Sequence, residues 1–154
     1  MQIKLTMKRK LAIWVGGFAL LAATLIDLLA VIGRHVGLPL AGSIELMQSM
    51  IVISGATGIL IATMDSSHAR VRILVDRFRP GWRASADRWS DLLSLVFLLA
   101  LLIGSAWIAI DLWGGHEQSE LLGVPWRLLR LFANACLAAT ILVLALRIFR
   151  SRSR

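Results

Sequence analysis

Four apolar runs dominate the chain, at residues 11–33, 44–64, 92–113 and 128–149. Each holds about twenty residues, enough at about 1.5 Å rise per residue to cross a hydrocarbon core of about 30 Å. None shows the period-two alternation of a barrel strand. A backbone in lipid must satisfy its own hydrogen bonds, so each run predicts a transmembrane helix. The first run follows Lys8-Arg9-Lys10, a layout shared with secretory signals. It continues through Leu25, Ile26 and residues 28–32, well past the length of a signal core, so a retained helix is expected. With no internal repeat, low-complexity tract or long linker, residues 1–154 read as a single four-helix membrane domain.

Between the second and third runs lies a basic segment, 65–91. Within it Val71, Leu74, Val75 and Phe78 recur at helical spacing with arginines between them, and Pro80-Gly81 follows. This predicts an amphipathic helix lying on the membrane surface between helices 2 and 3. An ordinary basic loop is the simpler alternative.

Composition agrees with the runs. Of the 154 residues 58% are hydrophobic and only 17% charged, and mean hydropathy is +0.76. A soluble domain this small leaves much of its surface wet and could not hide so much apolar area. The net charge of +8 does not suggest nucleic acid, because the basic residues are split among three segments on one membrane face. The two termini and the 65–91 loop carry 14 Lys and Arg, counting Arg147 with the C-terminal flank. The opposite face carries three: Arg34, Arg127 and Arg130. By the positive-inside rule both termini and the middle loop are expected in the cytoplasm. Trp14, Trp82 and Trp89 then fall at the inner boundary, and Trp113 and Trp126 at the outer one.

Ionisable groups inside a span cost about 2.5–3.5 kcal/mol each at the centre on insertion scales, so each needs a reason. Asp27 lies about 9 Å inside the outer end of span 1. Glu45 opens span 2, Asp111 closes span 3, Arg130 is just inside span 4, and Arg34 stands in the outer loop beside them. Mutual pairing of these acids with Arg34 and Arg130 is one expectation, and a docking role for the same charges is compatible with it. The inner two-thirds of the spans are expected to hold no ionisable side chain. An ion pump acting within this chain would want a site near mid-membrane.

Span 2 carries Ser54, Gly58 and Ala62 at four-residue intervals, with Gly55 beside them. Such a stripe lets another backbone approach closely, a helix of this chain being preferred over one of a different protein. Asn134 can hydrogen-bond across helices, and Cys136 reads as a small buried filler. His35, His68 and His116 all lie in loops, without the paired intramembrane spacing that haem needs. One cysteine excludes an internal disulfide and a cysteine metal cluster. No nucleophile–base set or phosphate loop is present, so neither enzyme nor cofactor is expected.

Several short segments then fall in a telling order. Arg34 closes span 1, and Ser43-Ile-Glu45 opens span 2. Ser54-Gly-Ala-Thr-Gly58 leads to Ala62 and to His68-Ala-Arg-Val71. Gln118-Ser119-Glu-Leu121-Leu-Gly-Val-Pro125-Trp126 precedes span 4. Over nearly its whole length the chain resembles the small membrane subunit of the tripartite ATP-independent periplasmic (TRAP) transporters. The resemblance implies a scaffold in the bacterial inner membrane, packed beside a large elevator-type subunit. That subunit would carry out sodium-coupled uptake of an organic acid delivered by a periplasmic binding protein. It also makes Glu45, His68, Ser119, Pro125 and Trp126 candidate interface or structural residues.

Other readings of the topology make different demands. A self-sufficient small drug exporter would carry a lone acid at mid-membrane and short loops, whereas Asp27 lies far outward and the 65–91 loop is long. A respiratory membrane anchor would need intramembrane histidine. An orphan membrane adaptor would lack a large polytopic partner.

Overall fold

The structure is a computed structural model that describes residues 2–65, 80–115 and 117–152, with side chains at 7, 9–65, 89–115 and 117–149. Its four helices are α1 (Gln2–Val36), α2 (Ser43–Met64), α3 (Pro80–Asp111) and α4 (Trp126–Arg152). Each contains a segment long and apolar enough to cross a membrane: Arg9–Val36, Ser43–Met64, Trp89–Asp111 and Trp126–Phe149. The described residues contain no strand, only a single bridge between Gln118 and Pro125.

The first helix outruns its apolar pattern. Arg34 and His35 occupy its last turn rather than the following loop, where positive charge meets the negative end of the helix dipole. Gly37 then takes a left-handed φ of 77°, and the Leu38 N–H donates back to the Gly33 carbonyl at 2.8 Å. That six-to-one bond is a Schellman stop, a geometry that a residue with a Cβ adopts only under strain. The third helix departs further. It starts at Pro80, so residues 80–91, expected as loop, form a polar helical extension of the span. Proline suits the first helical position because its missing N–H would have no partner there. The amphipathic helix expected over 68–78, with His68, lies outside the described residues, as does His116.

Packing follows the order α1–α2–α4–α3. The first helix lies along α2, α2 along α4, and α4 along α3, and these are the extensive helix contacts among the described residues. The result is an open row rather than a closed bundle.

Close approach of α1 to α2 rests on a stripe of small residues in α1. Ala12, Gly16, Ala19, Ala23 and Ala30 are all buried, and a Cβ added at Gly16 would collide with the Thr57 hydroxyl. The glycines of α2 do not provide this contact. Gly55 and Gly58 are exposed, with no described atom within 4 Å of where a Cβ would stand. Ser54 and Ala62 are half-buried. The stripe expected to pack internally therefore faces outward at Gly58.

Buried hydroxyls are satisfied within their own helices. Those of Ser49, Thr57, Thr63 and Thr140 donate to carbonyls one turn earlier, at 2.9, 2.7, 2.9 and 2.8 Å. Such groups pack as small apolar ones would, because none is left without a partner.

At the end of the row bearing the chain termini, two arginines fasten α2 to its neighbours. The Arg9 guanidinium donates twice to Asp65, at 2.7 and 2.9 Å. Those hydrogen bonds hold the Asp65 carboxyl below the usual carboxylate range, against a smaller opposing effect of desolvation. From α4, Arg147 donates to the Thr63 carbonyl in the last turn of α2. Arg147 lies within the fourth apolar segment, so the interior is not free of ionisable side chains, and its Nη1 is buried without a described acceptor.

Candidate functional site

At the opposite end of the row, residues 117–125 form a compact hairpin folded over the start of α2. The Ser119 N–H donates to the Val124 carbonyl at 3.0 Å, and the Val124 N–H donates to the Ser119 hydroxyl at 2.8 Å. Gly123, at φ 65°, supplies the left-handed turn and donates to the Ser119 carbonyl at 3.1 Å. Across the base, the Trp126 N–H donates to the Glu117 carbonyl at 3.3 Å as α4 begins. Ser119 is 6% exposed, so its hydroxyl is a structural brace of this turn rather than a free nucleophile.

Glu45 joins the hairpin to α2. It lies in the first turn of that helix, where negative charge is favourable, and accepts from the backbone N–H groups of Leu121 and Leu122, both at 3.0 Å. Packing reinforces the join, because the Leu122 side chain sits where a Cβ on Gly42 would stand. Gly42 also has a left-handed φ of 77° at the cap of α2. One carboxylate thus satisfies loop donors that would otherwise stand unpaired near the membrane boundary.

The other charges do not pair as expected. Arg130 bonds Glu117 at 3.0 Å, within the base of the hairpin, rather than Asp27, Glu45 or Asp111. Glu117 had no periodic signal to single it out. Asp27, Arg34 and Asp111 are exposed and form no ion pair among the described residues. Arg34 nonetheless lines the same depression as Glu45, Gln118, Ser119, Glu120 and Trp126, an opening of about 680 Å³. The structure therefore brings together Arg34, Glu45, Ser119 and Trp126, with Pro125 bridged to Gln118 at its edge. Asp27 and Asp111 are not among them.

Glu45→Gln tests the join. An amide keeps one acceptor oxygen but sets an N–H₂ group against a backbone donor. Amide hydrogen exchange at Leu121 and Leu122 is expected to quicken about tenfold, since charge-assisted bonds are the stronger kind. Exchange in the centres of α1 and α2 should not change. Unaltered protection at Leu121 and Leu122 would contradict this account of Glu45.

The polar groups of this site are mostly spent on holding the hairpin, and no group of three or more His, Cys, Asp or Glu able to hold a metal occurs among the described residues. Cys136, half-buried in α4, stands apart from it. Along the membrane the row exposes large side chains on every helix, among them Phe18, Ile51, Phe97, Trp107 and Leu142. Exposed apolar area on this scale belongs against lipid or another membrane chain.

Comparison with known proteins adds the family. The family model described as tripartite ATP-independent periplasmic transporters, DctQ component, matches residues 23–154. No curated protein and no solved structure matches the chain.

Proposed function

Because the chain belongs to the DctQ component family of the tripartite ATP-independent periplasmic transporters, we propose that it is the fixed scaffold of such a transporter. In this reading it supports a large elevator-type subunit during sodium-coupled uptake of an organic acid, which a periplasmic binding protein delivers. The observation that carries the reading is the family match across residues 23–154. The charge distribution supports it, because the middle of every span lacks the ionisable relay that an ion-coupled carrier uses. The open row supports it too. A chain with so much apolar surface uncovered on both outer helices is suited to being packed against.

Contact with partners is assigned to two regions. The hairpin depression with Arg34, Glu45, Ser119, Pro125 and Trp126 faces whatever sits over the membrane at that end. The exposed face of α2 with Gly58, bordered by Ser54 and Ala62, faces a neighbour within the bilayer. Asp27, Asp111 and Arg130 flank the first region, and His68 belongs with the loop at the other end.

An affinity-tagged large subunit expressed with this chain is expected to retain it through detergent solubilisation and gel filtration. Separate migration of the two would contradict the scaffold role.

The reading also places the chain in the inner membrane with both termini and the 65–91 segment in the cytoplasm, following the Lys and Arg asymmetry. In a Cys136→Ser background, cysteines introduced at Leu38 or Glu120 should react with an impermeant maleimide added to spheroplasts. Cysteines at Ser85 or Ser151 should react only after the membrane is opened. Labelling at position 85 from outside would overturn the topology.

A further inference from the structure

We propose that the groove between α2, α3 and α4 seats one transmembrane helix of the large subunit, and that this helix presents a hydrogen-bond acceptor to Asn134. The proposal rests on the TRAP reading for the identity of the partner, and on the structure for the place.

The groove lies between the hairpin end of the row and the middle of the spans, and has a volume of about 250 Å³. Ile51, Gly55 and Ile59 of α2 form one wall, Ser105 of α3 and Asn134 and Leu137 of α4 the other. Gly55 is a notch between two exposed isoleucines one turn to either side, with no described atom within 4 Å of a Cβ position. Ridges of a second helix fit such a notch.

Shape alone would not say what lies there, but Asn134 does. The Ser105 hydroxyl donates to its amide oxygen at 2.5 Å, which occupies one end of the amide. The other end has no partner among the described residues. With its oxygen taken by Ser105, the open end is the amide NH2 group, a donor that calls for an acceptor. Asn134 lies eight residues into α4, about 12 Å from the end of that helix. At that depth neither water nor a lipid headgroup is at hand, and an acyl chain offers no acceptor. A Ser or Thr hydroxyl, or a backbone carbonyl freed at a helix break, would supply one. A second copy of this chain fits less well. A concave groove is not self-complementary about a two-fold axis, and a head-to-tail contact between copies does not close.

A photo-crosslinking residue placed at Ile51 or Ile59, in the complex with the large subunit and binding protein, tests the assignment. Both positions should crosslink to the large subunit. Gly55→Leu should lower the large subunit retained in pull-down about tenfold, by blocking close approach. The thermal unfolding of this chain alone should not change in that variant. Crosslinks only to a second copy or to lipid, or undiminished retention in Gly55→Leu, would overturn the groove assignment and leave the TRAP reading standing. If the unmodified chain fails to retain the large subunit at all, both fall.

Discussion

Gly16→Ile is expected to separate α1 from α2 and to lower the stability of the pair by about 3 kcal/mol, near the top of the range for overpacking a tight contact. The reason is local. A Cβ at residue 16 would collide with the hydroxyl of Thr57, which is 3% exposed. That hydroxyl is already held by the Ile53 and Ser54 carbonyls at 2.7 and 3.0 Å. It cannot turn aside without losing those bonds, so the helices themselves must part. In the membrane that separation forfeits the packing on which helix association rests, since lipid is as apolar as the side chains. The neighbouring Gly17 is the control. It is exposed, with no described atom within 4 Å of a Cβ position, so Gly17→Ile should fall within about 0.5 kcal/mol of the unmodified chain. Unfolding of the purified protein in mixed micelles would measure both. Equal loss in the two variants would contradict the packing of α1 on α2.

The membrane spans could be read from the chain to within a few residues, because lipid imposes one requirement that an apolar run displays directly. The extension of α3 could not be read that way. Residues 80–91 are polar, and Pro80, which follows the helical pattern of residues 71–78 and so suggests an end there, begins a helix instead. Proline is compatible with both boundaries, so it marks a boundary without giving its direction.

The more conspicuous small-residue pattern is not the one that packs. Ser54, Gly58 and Ala62 draw the eye, but the buried stripe is Ala12, Gly16, Ala19, Ala23 and Ala30 on α1. Alanine is common in any apolar run, and burial of one face over another depends on where the neighbour lies. The packing order of the row decides that, and no single apolar run displays it.

The candidate site was half legible. The ends of the spans carry the charges, as desolvation cost requires, so Arg34, Glu45 and Arg130 stood out. Their partners depend on the path of residues 117–125, and that path brings Glu45 to backbone N–H groups and Arg130 to Glu117. No periodicity encodes such contacts. Ser119, Pro125 and Trp126 belong to the segment that carries the family resemblance, and the hairpin supplies a physical role for them. Ser119 closes the turn, Pro125 is bridged to Gln118, and Trp126 opens α4.

The scaffold account turns on what the chain does with and without its partners. Sodium-gradient-driven uptake of a carboxylate substrate should be measured in liposomes containing this chain alone, the large subunit alone, or both, each with the binding protein outside. Uptake is expected only with both chains, and omission of this one should return it to background. No span is interrupted by proline, as substrate-coordinating helices of carriers often are, and mid-span ionisable groups are lacking. Gradient-driven movement of substrate by this chain alone, or full uptake by the large subunit without it, would contradict the account.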